Sequence, residues 1–296
     1  MNSERTLYLL ECGAMQTVTL ADETYPALLR HIKRPPETLY FVGDLTLASA
    51  LSVSIVGTRK ATGYGLRMAT KLAELLAEHG VVVTSGMALG IDSISHKGAL
   101  RKDGKTIAVL GSGLDICSPP SNHRLMAEIA EKGLLLSEYP PGTPGAPFTF
   151  PQRNRIISGL SVATVIVEGG LSSGALITAE RAAEQGREVY AVPGDIDRIN
   201  SIGANKLIKD GALPLVVLED LLDDLGIKRK ALEKRMESLG KTEIEILRHI
   251  EQTGEVTANE LCRHTKKQPA EISGILTVLE IKGMIYSHLG KIFIAS

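Results

Sequence analysis

Residues 150–180 read FPQRNRIISGLSVATVIVEGGLSSGALITAE, which sets two guanidinium groups, Arg153 and Arg155 with Asn154 between them, ahead of an apolar run and a glycine-serine turn. Guanidinium forks donate charge-assisted hydrogen bonds, and small residues at the start of a helix leave backbone N–H groups open to an anion. Gly169, Gly170, Ser172, Ser173 and Gly174 form that turn, and a helix is expected over about 175–185. Phosphate is the natural guest.

Further turns repeat the device. Gly57, Thr58 and Arg59 open GTRKATGYG after a strand-like run, but the spacing is not that of a dinucleotide fingerprint, and Arg59 stands where pyrophosphate would need a small residue. Ser85 and Gly86 lie in TSGMALGID, where a ribose-gripping acid would be needed for NAD, so that cofactor is disfavoured. Gly111, Ser112, Gly113 and Asn122 lie in GSGLDICSPPSN. Asp92, Asp115 and Ser121 are expected to cap helices and form turns, and His96 to be a structural histidine. A fourth turn, PGDIDRINSIGANKLIKDGA, is expected to place Asn205 and a solvated Lys206 at a helix start. Several anion sites along one edge fit a polymer of repeated phosphates better than a mononucleotide.

No catalytic constellation accompanies them. The chain has no GxxxxGK[ST] loop, no GxSxG elbow, no histidine pair at metal spacing and no evident carboxylate pair. The expectation is a binding protein with no catalytic residue, metal or cofactor.

The positioning elements are legible as apolar runs punctuated by glycine, at 53–56, 81–84, 106–110, 134–137, 162–167, 189–192 and 215–218, with helical stretches between them. Short, β-branched, nearly continuous runs read as strands buried on both faces of a mostly parallel sheet. Between the first two, Leu66, Ala69, Leu72, Ala73, Leu76 and Ala77 keep helical spacing up to Gly80. The pattern predicts an α/β fold, a Rossmann-like doubly wound sheet with sites at the carboxyl ends of its strands.

Four segments follow: residues 1–45 as a short extension packed on the core, 46–225 as the Rossmann-like domain, 226–240 as a basic linker, and 241–296 as a winged helix of three helices and a hairpin. The tail carries seven Lys and Arg against seven Asp and Glu, and its candidate recognition helix, 269–282, is mostly apolar. Protein contact or self-association therefore stands beside duplex DNA as its role. A net charge of −1 confines any nucleic-acid site to a local patch, and seven Tyr, four Phe and no Trp leave backbone contacts the larger share. Cys12, Cys117 and Cys262 lie far apart, and no signal peptide or long apolar run is visible, so the expected setting is cytoplasmic with no membrane contact.

Taken together, VGTR at 56–59, SGMALGID at 85–92, GSGLD at 111–115, FPQRNRIISGLS at 150–161, SGALITAE at 173–180, AVPG at 191–194 and GANKLIKDGA at 203–212 resemble the DprA family, also called Smf or DNA-processing protein A. That likeness implies a homodimer that binds incoming single-stranded DNA during natural transformation, protects it and helps load the RecA recombinase. It also implies phosphate contacts from Arg59, from backbone groups around Ser85 and Gly86, and from the turns at Gly111 and at Ser173 and Gly174. Arg153 and Arg155 would complete the pocket or brace its loops. Ser118, Pro119 and Pro120 depart from the tyrosine-proline pair and following basic or polar residue of relatives, which shifts weight onto Arg59 and the arginine pair.

Two other readings compete. A Rossmann-type nucleotide N-glycosidase carries PGGxGTxxE, but in EGGLSSGALITAE Glu180 falls two residues late, nearly on the opposite helix face. A winged-helix transcription regulator with a ligand-sensing sheet domain would need a more basic tail.

Overall fold

The computed structural model describes residues 15–227, 239–282, 284–288 and 290–294, and divides the chain into two compact units, 1–227 and 228–296. Most of the expected basic linker, and the first part of the expected extension, lie outside the described residues.

The first unit is built on nine strands. In chain order its elements are β1 (Gln16–Thr19), α1 (Ala27–Arg30), β2 (Thr38–Gly43), β3 (Ser52–Val56), α2 (Gly63–Glu78), β4 (Val82–Ser85), α3 (Ile91–Arg101), β5 (Thr106–Leu110), α4 (His123–Lys132) and β6 (Leu134–Ser137). They continue with α5 (Thr149–Leu160), β7 (Ala163–Ile166), α6 (Gly174–Glu184), β8 (Glu188–Ala191), α7 (Ile199–Lys209), β9 (Leu213–Pro214) and α8 (Asp220–Asp224). The sheet order is β1-β2-β6-β5-β4-β3-β7-β8-β9, parallel from β6 to β9, with β2 antiparallel to both β1 and β6. This is the Rossmann-like, mostly parallel sheet the sequence predicts.

Every residue of β3, β4, β5, β6 and β7 is buried, because helices cover both faces. Pleating divides each strand between two cores. Ile107 and Val109 join Ile156, Ile157 and Leu160 of α5 on one face, while Ala108 and Leu110 pack with Leu125, Met126 and Ile129 of α4 on the other. Val53, Ile55 and Val83 meet Leu72 and Leu76 of α2. Thr62 caps α2 by accepting the N–H of Gly65, and Gly80 at φ +74° ends it.

Three expectations change. Residues 16–43 do not merely pack on the sheet; they contribute β1 and β2 to it. The strand expected at 215–218 lies at Leu213–Pro214, and the chain then turns so that Leu215 is buried while Val216 and Val217 are exposed. Asn205 and Lys206 fall in the second half of α7, not at its start.

The second unit contains α9 (Lys241–Thr253), α10 (Ala258–Thr265), α11 (Pro269–Ile281) and the hairpin β10 (Ile285–His288) with β11 (Lys291–Ile294). Thr257 caps α10 with Glu260 in a reciprocal capping box. Ile246, Leu247, Ile250, Leu261, Ile272, Leu279 and Ile292 fill its core, and a bridge from Val256 to Ile292 ties the hairpin to the helices. This is the expected winged helix. Among the described residues no helix is long and apolar enough to cross a membrane.

Candidate functional site

Strands β3, β4, β5 and β7 are parallel neighbours, so their carboxyl ends and the turns that follow lie along one edge. The backbone joins those turns. Thr58 N–H donates to Glu168 O at 2.7 Å, Ile91 N–H to Thr58 O at 3.3 Å, and Gly113 N–H to Thr143 O at 2.9 Å.

The two arginines of the RNR segment part company here. Both lie on α5, where two residues turn the helix by about 200°. Arg153 is 4% exposed, and its Nη1 donates to Gly86 O at 2.6 Å and to Val109 O, fastening the ends of β4 and β5. Burial pushes its guanidinium down to about 10. A Cβ on Gly86 would lie 2.5 Å from that Nη1, so this turn requires glycine. Arg155 instead pairs with Glu138, just past the end of β6, at 2.6 Å.

The chain's own carboxylates occupy backbone cradles that the sequence reading left open for phosphate. Asp92, buried, accepts from Ala88 N–H at 3.4 Å and from Gly86 N–H; desolvation raises its pKa and the facing Arg153 opposes the rise. Glu168, 2% exposed, accepts the N–H of Thr62 at 2.9 Å and its hydroxyl at 2.5 Å. Its carboxylate thereby sits at the amino end of α2, where a dinucleotide fold seats pyrophosphate. Asp115 accepts Gly142 N–H at 2.8 Å.

Other expected ligands also face inward. Ser85 Oγ donates to Ile55 O at 2.6 Å, Ser112 Oγ to Ile116 O at 3.1 Å, and Asn122 Nδ2 to Met87 O at 2.8 Å and Ser93 Oγ at 2.9 Å. Gly111 O accepts from Thr149 Oγ1 at 2.6 Å. Ser85, Gly86, Gly111, Ser112, Gly113 and Asn122 are buried, so they shape the edge. His96 is fully buried, and because Thr106 Oγ1 donates to Val83 O it accepts from His96 Nδ1 at 2.6 Å, which fixes the neutral tautomer; burial takes its pKa down to about 3. It is structural, as expected.

What remains outward is narrower. Arg59 is exposed, with Gly57 and Thr58 half-buried behind it, and its guanidinium carbon lies 5.4 Å from the centre of the Phe150 ring. Two residues before Phe150, Phe148 is 65% exposed. At the turn after β7, Ser172 and Gly174 are exposed, and among the described residues the N–H groups of Leu171, Ser172 and Gly174 have no acceptor. Ser173 caps α6, and Asn154 Nδ2 holds Gly174 O at 3.1 Å, so Asn154 braces this turn. Among the described residues the edge thus offers the unpaired guanidinium of Arg59, the rings of Phe148 and Phe150 and a helix start with open amides, a set suited to a phosphate backbone with unpaired bases. Phe148 and the closing role of Glu168 were not read from sequence; the FTF spacing around Phe150 was the available signal for the first. Among the described residues no cluster of three metal-ligating side chains occurs.

A family model described as DNA recombination-mediator protein A matches residues 16–226, and one described as DprA winged helix domain matches residues 232–291. Protein Smf of Synechocystis is 43% identical over 215 residues, covering 71% of this chain and 54% of the relative, so the match spans about half of that protein's length. The crystal structure of DNA processing protein A from Streptococcus pneumoniae aligns with a TM-score of 0.69 at 39% identity, over 73% of this chain and 77% of the other. A structure of DNA processing protein A from Helicobacter pylori, concerned with the single-stranded DNA binding mode of that protein, aligns with a TM-score of 0.65 at 34% identity, over 71% and 95%.

Proposed function

The chain belongs to the DNA recombination-mediator protein A family, and from that premise we propose that it binds single-stranded DNA along the carboxyl edge of its sheet, protects incoming DNA during natural transformation and helps load the RecA recombinase. The observation that carries the reading is the open guanidinium of Arg59 stacked over Phe150, two residues along the chain from the exposed Phe148. Guanidinium grips phosphate, and phenyl faces take bases only where those bases are unpaired. The Helicobacter relative's single-strand binding supports the same assignment.

Binding is the activity we assign, and the setting is the cytoplasm. The glycosidase alternative asks for a free acid near the β7 turn, whereas Glu168 is engaged by Thr62. The winged helix suits protein contact better than duplex DNA: α11 exposes Val278 and Ile281 beside Glu271 and Glu280, and Lys282 is paired with Glu243. For the homodimer, the exposed Leu213, Val216 and Val217 at the β9 margin are the surface we favour.

The test is a mobility-shift comparison of single-stranded and double-stranded oligomers across a salt series, with the intact chain and one lacking residues 241–296. Preferential single-strand binding that weakens steeply with salt and survives the deletion is expected. Equal duplex affinity, or binding lost with the tail, would assign the DNA site elsewhere.

A further inference from the structure

Away from the end of α5 that carries Phe150, α5, α6 and the turn after α1 border an open cleft of about 520 Å³, within the range of ligand pockets. Lys33 and Arg34 line it from the turn, Arg155 from α5 and Arg181 from α6; Glu184 is its one lining acid. Arg155 is committed to Glu138, and Arg181 to Glu184 through a pair whose members are 44% and 52% exposed, weak enough for a competing anion to replace. Lys33 and Arg34 are exposed and have no acceptor among the described residues. Arg34 also sits at φ +58°, a left-handed conformation that a non-glycine residue keeps only where its surroundings impose it, and such positions gather at ligand clamps.

Helix α5 runs from the edge to this cleft. Phe150 lies against Gly111 and under Arg59, and five residues on, about 7.5 Å along the helix axis, Arg155 lines the cleft. Gln152, between them, lines the cleft too and is held by Tyr139 Oη at 3.1 Å. A polyanion that crosses the edge at Arg59 and passes around α5 meets a second set of cations there.

We propose that this cleft is a second phosphate-binding station, which receives the phosphodiesters of a single strand after it has crossed the edge at Arg59. The proposal rests on the single-strand reading above and extends the bound length of the strand. It also gives Arg155 its place: its electrostatic role lies in the cleft.

The experiment compares oligothymidylates of about 4 and about 16 nucleotides, the span of known single-strand site sizes, on the wild type, on Arg34→Glu with Arg181→Glu, and on Arg59→Ala. Both reversed residues are exposed, and the unfolding midpoint checks that the fold is retained. The double reversal is expected to weaken the long oligomer at least tenfold and to shrink its salt slope by about 1.4, two contacts at about 0.7 each, while the short oligomer binds as in the wild type. Unchanged long-oligomer binding overturns the proposal, and so does equal loss for both lengths. A third arm titrates thymidine monophosphate and inorganic phosphate: saturable binding abolished by the reversal, with long-oligomer affinity intact, assigns the cleft to free phosphate compounds and overturns the strand path. Failure of the parent reading has a separate signature, namely short-oligomer binding that Arg59→Ala leaves unchanged.

Discussion

Glu168 closes on Thr62 across 106 residues of sequence, accepting its backbone N–H at 2.9 Å. One carboxylate thereby ties the end of β7 to the start of α2 and fills the cradle where a dinucleotide-binding sheet seats pyrophosphate. The cradle is filled from within by Glu168, and the groups left exposed along this edge are the Arg59 guanidinium and the amides at the start of α6.

Gly65 is the residue that gives this carboxylate room. A Cβ there would lie 2.2 Å from Glu168 Oε2. Gly65→Ala should therefore lower stability by about 1–3 kcal/mol, the usual cost of overpacking, read as a fall in the denaturant midpoint with an unchanged slope.

Arg153 should behave as a scaffold residue. Arg153→Ala leaves the buried carbonyls of Gly86 and Val109 without their donor and removes the positive charge facing Asp92, at a cost of about 1–3 kcal/mol, and thermal unfolding should report it. Pairing Asp92→Asn with Arg153→Met removes both charges and should recover much of the loss. A single variant that melts like the wild type but binds DNA weakly would put Arg153 back among the ligands.

Arg59→Ala should weaken single-strand binding by about 1.5 kcal/mol, somewhat more than tenfold, and lower the salt slope by about 0.7. The loss should be equal for unrelated sequences, since phosphate contacts carry no base identity. Fluorescence anisotropy on two unrelated oligomers at several salt concentrations checks both statements.

His96 gives the fold a pH dependence. Its folded pKa of about 3 lies below the ordinary imidazole value of 6.5, so the folded state refuses a proton that the unfolded chain accepts. Stability is full above about 6.5 and declines as pH falls toward 3; at pH 5 the loss is about 2 kcal/mol. His96→Gln should flatten that decline in urea titrations run from neutral pH down to 4.

The strands at 106–110 and 134–137 could be read to the residue, because buried parallel strands are continuous apolar runs between turn residues. The winged helix was equally plain from its amphipathic helices and the Thr257 cap. β1 was not, since QTVT alternates polar and apolar over only four residues. Within the site, Arg59 was found because it follows a strand directly. Arg153 and Arg155 were read as a pair because RNR looks like one in a line of text, and helical rotation separates them. The engagement of Gly86 and Thr62 by Asp92 and Glu168 depends on contacts between distant segments, which local spacing does not encode.

The far margin of the sheet is finished by imino acid chemistry. β9 has only two residues, and Pro214 has no amide hydrogen. A further strand laid alongside would find almost no ladder to extend, so uncontrolled stacking of sheets from copy to copy is blocked there. Any pairing of subunits at that border must be written in side chains such as those of Val216 and Val217, so single substitutions there can tune it.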